Sequence, residues 1–296
     1  HDQTRRQRQM CIRDRVISTP LGNKLKLFKP NDEVFSMGAP RREPGRRANE
    51  AEKRIQLQRP FYFAITETSN KEYRQWKSEH NSSSIRGLSL DLNDQPVANI
   101  AWQDAALFCN WLSEKENLPK FYNVVGDRVT SINWDSNGYR LPTESEWSWV
   151  AKVTKAGATK VFPWNSPSYP PPFVSGNYAD ESAKSMLPFT ISNYNDSFPV
   201  SASVGSFQPN EKGIFNLSGN VAEWVNDFYE IRVNKSEPLV DYRGPNTGNR
   251  HVIRGASWAL GSRSELRLSY REPGYDGKID VGFRIARYVD KPKGDL

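Results

Sequence analysis

The chain offers few soft or titratable side chains for chemistry: two cysteines, Cys11 and Cys109, and three histidines, His1, His80 and His251. Five such residues scattered along 296 positions match neither a disulfide scaffold nor a Cys/His zinc site. The stretch RGASWALGSRSELRLSYRE, residues 254–272, runs like the approach to an active site. A short apolar strand leads to Ser257 and Trp258, and arginines return at Arg263, Arg267 and Arg271 with no Cys or His between them. A serine without a neighbouring base is a poor nucleophile. Hard oxygen donors are more plentiful, in SGNYADES, NYNDSFPV and FNLSGNVAEW. Calcium takes six or more such oxygens from carboxylates, amides and main-chain carbonyls on a tightly bent backbone. On spacing alone the favoured role of Asn216, Glu223 and Asp196 is turn capping, since Asn and Asp side chains close their own loops.

Local elements must position these groups. Residues 16–40 predict strand, turn, strand, with LGNKLKLF alternating and VFSMGAP closing on Gly and Pro. REPGRRANEAEKR is a charged loop. In FYFAITETSNKEYRQW an aromatic strand ends at Thr68–Ser69, and Ser69 with Glu72 has capping-box spacing. A helix over Trp102–Ser113 follows from Trp102, Ala105, Ala106, Cys109 and Leu112, which makes Cys109 a small core residue. Thr143 and Glu146 announce a third helix after Pro142. From Phe162 to Pro209 no apolar period is visible, and so long a loop region needs something to hold it.

Nine Trp, 12 Tyr and 14 Phe supply an aromatic core, while 19 Gly and 20 Pro interrupt long helices. The net charge of +7 suggests nucleic-acid binding, but 15 of the 41 Lys/Arg and only 7 of the 34 Asp/Glu lie in residues 1–60. The remainder carries 26 against 27, so the body is neutral and no nucleic-acid partner is expected. No apolar run is long enough to cross a bilayer. HDQTRRQRQMCIRDR lacks periodicity, so residues 1–15 read as a disordered or artefactual leader, 16–290 as one domain and 291–296 as a tail. Neither a second domain nor an internal repeat is visible.

The ordered blocks FYFAITETSNKEYRQW, PVANIAWQDAALFCNWLS, YRLPTESEWSWVAK, GIFNLSGNVAEWVNDFY, HVIRGASW and DVGFRIARY resemble the formylglycine-generating enzyme (sulfatase-modifying factor) family over roughly residues 30–290. The resemblance implies a single α+β domain, C-type lectin-like, with little regular secondary structure and two structural calcium sites. It assigns Asn177 and Asp196 side chains with the Tyr178 and Phe198 carbonyls to one site. Asn216 and Glu223 side chains with the Gly219 and Val221 carbonyls form the other.

Active members of that family oxidise a substrate cysteine with a copper-binding cysteine pair, since soft sulfur selects Cu(I). The matching positions here are Leu260 and Glu265, and a neighbouring family histidine falls at Gly261. No copper is therefore expected, and the histidine cluster of the related iron-dependent sulfoxide synthases is missing too. The implied function is a non-catalytic, calcium-stabilised domain binding a peptide, protein or small molecule, as the variable proteins of diversity-generating retroelements use this fold. Ser257, Trp258, Arg263, Glu265 and Arg267 stand where the catalytic loop would be and are the expected ligand surface. Arg254, Arg271 and Arg284 are expected to pair with Glu144, Glu146 or Glu223. The alternative is an enzyme of cysteine-independent chemistry with Glu265, Glu223 or Asp280 as base. The abrupt start points to a piece of a longer multidomain chain, and calcium leans to an extracytoplasmic home.

Overall fold

The aromatic strand Phe61–Ala64 is buried at all four positions, so it needs cover on both faces and neighbours on both edges. In the computed structural model, which describes residues 15–232 and 234–290, it sits in the middle of a five-stranded sheet. Lys24–Phe28 lies on one side and Ala286–Tyr288 on the other, both antiparallel to it. Val16–Ser18 and Tyr139–Arg140 form the edges. A second sheet places His251–Arg254 between Arg271–Gly274 and Ala222–Phe228, and the last of these also pairs in parallel with Val281–Phe283. A third joins Val34–Met37, Lys53–Gln56 and Asn234–Val240. Residues 16–40 thus hold three strands where the alternation predicts two, because Val34–Met37 leaves the first sheet for the third. The expected leader, Arg15 apart, and the expected tail lie outside the described residues.

All three expected helices are present, and capping chemistry accounts for where two of them start. At Asn70–Tyr73 the Ser69 hydroxyl accepts from the Glu72 amide while Glu72 accepts from the Ser69 amide. The same reciprocal pair links Thr143 and Glu146 at Glu144–Lys152. Trp102–Lys115 has no side-chain cap and is held by packing, with Cys109 fully buried on its inner face. None of these helices is long and apolar enough to cross a membrane.

Residues 162–209 contain one short 3-10 helix, Glu181–Ala183, and no strand. Phe162, Trp164, Tyr178, Ile191 and Tyr194 hold the region through an apolar cluster of their own. Short polar side chains bind its backbone, with Asp180 capping the 3-10 helix and Tyr194 bracketing Gly176. Such contacts need no sequence period, which is why the region looks structureless in the sequence. Few helices, many short strands and long ordered loops make this a compact α+β domain.

Candidate functional site

Strand His251–Arg254 delivers the RGASW segment to the interior through Gly255, whose φ of +79° places it in the left-handed region. A Cβ there would come within 3.1 Å of Ser218 Cα and of the Trp147 ring, so glycine lets the strand end lie against loop 216–220. Beyond it the loop turns inward. Ser257 is fully buried and donates to Asp280 Oδ2 at 2.7 Å. Trp258 is 1% exposed and packs with Leu90, Val200 and Val221. Leu260 lies half-buried against the Phe162–Trp164–Tyr178 cluster. The Glu265 carboxylate accepts from the Ser262 amide at 3.0 Å and the Gly261 amide at 3.3 Å, and Arg47 lies 3.6 Å away.

Arg267 corrects the sequence reading most. It is fully buried, with Glu43 at 2.9 Å, Glu50 at 2.5 Å and the Gly45 carbonyl at 2.7 Å. Loop 39–50 is thereby strapped across the chain, and Gly45 sits against Arg263, Ser264 and Arg267. Trp258, Arg267 and Ser257 therefore offer no open surface: two large side chains and a hydroxyl read as groove-lining are interior. Arg263 and Glu265 remain half-buried, and Arg263 lies 5.4 Å from the Tyr169 ring centre.

The other arginines take the ion pairs expected of them. Arg271 grips Glu144 with Nε at 2.7 Å and Nη2 at 2.9 Å, and Arg254 reaches the same carboxylate at 3.5 Å. Between them they hold the Glu144 carboxyl at about 2, against the opposing push of burial. Arg284 clasps Glu223 through Nε at 2.8 Å and Nη2 at 2.6 Å. Glu146 departs from this group and pairs with Arg140 at 2.6 and 2.7 Å. Of the three carboxylates considered as bases, Glu223 is locked by Arg284 and Trp147, Glu265 caps its own turn and Asp280 holds Ser257.

The two oxygen-rich sets meet around Asn220. Its side-chain oxygen accepts from Asn177 Nδ2 at 3.1 Å and from the Ala202 amide at 2.8 Å, and its Nδ2 donates to Glu67 Oε1 at 3.1 Å. In the first set Asp196 accepts from the Tyr178 amide at 3.0 Å and the Phe198 amide at 2.9 Å, drawing those residues together beside Asn177. Burial pushes Asp196 up to about 7. In the second set the backbone is strongly bent, with φ of 55° at Asn216, 67° at Ser218, 142° at Gly219 and 63° at Asn220. Asn216 Nδ2 donates to Glu67 Oε2 at 3.1 Å.

The side-chain oxygens of Asn177 and Asn216 are buried with no hydrogen-bond partner. A buried acceptor left so is costly, and an oxygen held for a hard cation would look like this. Glu223 fits the second set less simply, because three donor hydrogens already occupy its carboxylate. Glu67 is the residue sequence reading missed: fully buried and raised to about 7, chiefly by burial, opposed by Arg284 and reinforced by neighbouring Glu223. The available signal was a lone carboxylate two residues past the apolar strand FYFAI. Among the described residues no group of three or more His, Cys, Asp and Glu is placed to hold a metal, so any ion here would rest on amides and carbonyls as well.

Residues 31–289 match the family model of the sulfatase-modifying factor enzyme 1-like domain. The chain belongs to that family. Formylglycine-generating enzyme of Streptomyces coelicolor is 27% identical over 207 residues, covering 68% of this chain and 55% of that protein, so the match spans about half of that relative. Chaperone protein LppX of Paenibacillus barcinonensis is 29% identical across 77% of this chain and 80% of its own length. Mouse inactive C-alpha-formylglycine-generating enzyme 2 is 26% identical, with 86% of this chain and 83% of that protein covered. Among solved structures, Treponema denticola variable protein 1 superimposes with a TM-score of 0.71 at 24% identity, covering 93% of this chain and 99% of the other. PvdO from Pseudomonas aeruginosa gives 0.67 at 20%, covering 93% and 98%. Likeness at these identities establishes a shared fold, and the sulfatase-modifying factor domain is that fold.

Proposed function

We propose that this sulfatase-modifying factor domain is calcium-stabilised and non-catalytic, and that it binds a peptide, protein or small molecule. The reading rests on the side chains at the two positions that the resemblance matches to the family's thiols. Leu260 packs into an apolar cluster and Glu265 caps the 261–262 turn, so neither position can bind Cu(I). The thiol of Cys109 is no substitute: it is fully buried and burial raises its pKa far above the usual range. A relative similar along most of its length is itself named inactive.

Calcium would be held at one place by Asn177 and Asp196 with the Tyr178 and Phe198 carbonyls. At the other, Asn216 with the Gly219 and Val221 carbonyls would share the ion with Glu223, and Glu67 lies beside them. The ion would supply positive charge to buried carboxylates and a partner to two unpaired amide oxygens. Ligand contact falls to the part of the former catalytic loop that reaches solvent, namely Arg263 and Glu265, together with Arg47. The test is incubation of the purified protein with copper, oxygen and a cysteine-containing sulfatase peptide, read by mass spectrometry and aldehyde labelling. The expected outcome is an unmodified cysteine where an active family enzyme yields formylglycine. Aldehyde formed by this chain overturns the reading.

A further inference from the structure

On another face, lined by none of residues 255–271, lies a cleft of about 740 Å³, within the size range of small-molecule sites. Its lining includes Arg128 and Arg243 and no acidic residue. The wall is aromatic. His251 lies flat on Trp102, with ring centres 3.5 Å apart and planes at 6°, and against Phe228 at 4.3 Å. Trp134 lies beneath Arg243, whose guanidinium carbon is 4.3 Å from the ring centre, and Tyr275 is 59% exposed.

Two groups in this cleft have hydrogen-bonding capacity to spare. Arg243 Nε is buried without a hydrogen-bond partner. The Arg243 guanidinium lies over the Trp134 ring, and a guanidinium fork matches the two oxygens of a planar carboxylate. His251 Nδ1 lies 3.1 Å from the Asn226 carbonyl, which only accepts, so Nδ1 carries the hydrogen and Nε2 is left as an acceptor. Burial holds this ring neutral by lowering its pKa to about 4.

We infer that this cleft binds a small planar anion, an aromatic or heteroaromatic carboxylate whose ring packs against the exposed Tyr275 and whose carboxylate pairs with Arg243 and Arg128. An acid-free lining with two arginines selects the charge, and the flat aromatic wall selects the ring. A ligand N–H or O–H directed at His251 Nε2 would add orientation. Neither calcium nor the missing thiols enters the argument, so the site stands or falls apart from the function proposed above.

Calorimetric titration of the full chain with indole-3-acetate tests it, with indole-3-acetamide and inorganic phosphate as the uncharged and ringless arms. Saturable one-to-one binding of indole-3-acetate is expected, weaker by about tenfold or more for either arm, as loss of a charge-assisted hydrogen bond predicts. Arg243→Gln should weaken binding to a similar extent. Arg128 is exposed on its strand, so Arg128→Gln is the variant that leaves the melt unchanged while lowering affinity several-fold. The inference is overturned by no saturable binding up to ~10 mM, tenfold above a millimolar Kd. Equal binding of the amide or of phosphate overturns it too, as do folded Arg243 and Arg128 variants that bind like the parent.

Discussion

Withdrawal of the calcium proposed above is the change with the most direct structural consequence. Two amide oxygens, Asn177 Oδ1 and Asn216 Oδ1, are buried and unpaired, and each such acceptor costs about 1–3 kcal/mol while unsatisfied. An ion that fills one of the sites and binds only the folded state stabilises by ~2.7 kcal/mol at one hundred times its Kd. For a domain of this size each kcal/mol moves the midpoint by roughly 2–4 °C, so each filled site should raise Tm by about 5–10 °C. The assay is scanning calorimetry after exhaustive EGTA dialysis, then with calcium restored. Asn177→Ala should remove one increment, and it should also lower the calcium-free melt by roughly 1–2 kcal/mol, because Nδ2 loses the Val200 carbonyl and Asn220. Asn216→Ala should remove the other, with a smaller calcium-free loss, since its amide gives up a single bond to Glu67. An identical melt in calcium and in chelator would refute the reasoning, as would both variants keeping the full calcium response.

Glu223→Gln should destabilise by about 3–5 kcal/mol, because it strands the fully buried Arg284 beside a neutral amide. Glu223→Leu with Arg284→Leu should be milder than the sum of the single changes, measurable by urea unfolding and a double-mutant cycle. Lys152 gives a pH signature: burial lowers its pKa to about 8 from 10.5, so between those values the unfolded chain binds the extra proton. Stability should therefore rise as pH goes from about 8 to 10, and this residue alone contributes on the order of 3 kcal/mol over its full window. Lys53 and Lys212 are lowered as well, while the buried Cys109 thiol, raised by burial, opposes them above its ordinary value, so Lys152→Met should flatten part of the slope; an unchanged slope would count against the shift.

Local chemistry was legible in the sequence, and long-range partnership was not. Both capping boxes, the aromatic strand and the buried Cys109 follow from spacings of four residues or fewer, and the structure reproduces them. The pairing of Arg254 and Arg271 with Glu144, and of Arg284 with Glu223, was also accessible, because a buried arginine must find a carboxylate and few are available. Arg267 shows the limit. Its partners Glu43 and Glu50 lie 224 and 217 positions away in a loop with no periodic signal, so nothing local distinguishes it from a surface arginine. Trp258 fails for the same reason: its burial depends on Leu90, Val200 and Val221, which converge from three separate loops.

These partnerships also explain how the loop over residues 254–272 keeps its course. A loop held by a bound metal alone would have no other restraints. This one is restrained by other means: Gly255 and Ser218 set its entry, Ser257 binds Asp280, Leu260 packs under Tyr178, and Arg267 ties it to residues 43–50. Glu265 contributes as well, since its carboxylate holds two amides that a sulfur would accept from only weakly. The scaffold is therefore supported with an aliphatic side chain at Leu260 and an acidic one at Glu265. Under the binding role proposed above, the surface beyond Arg263 could change at little cost to the fold beneath it.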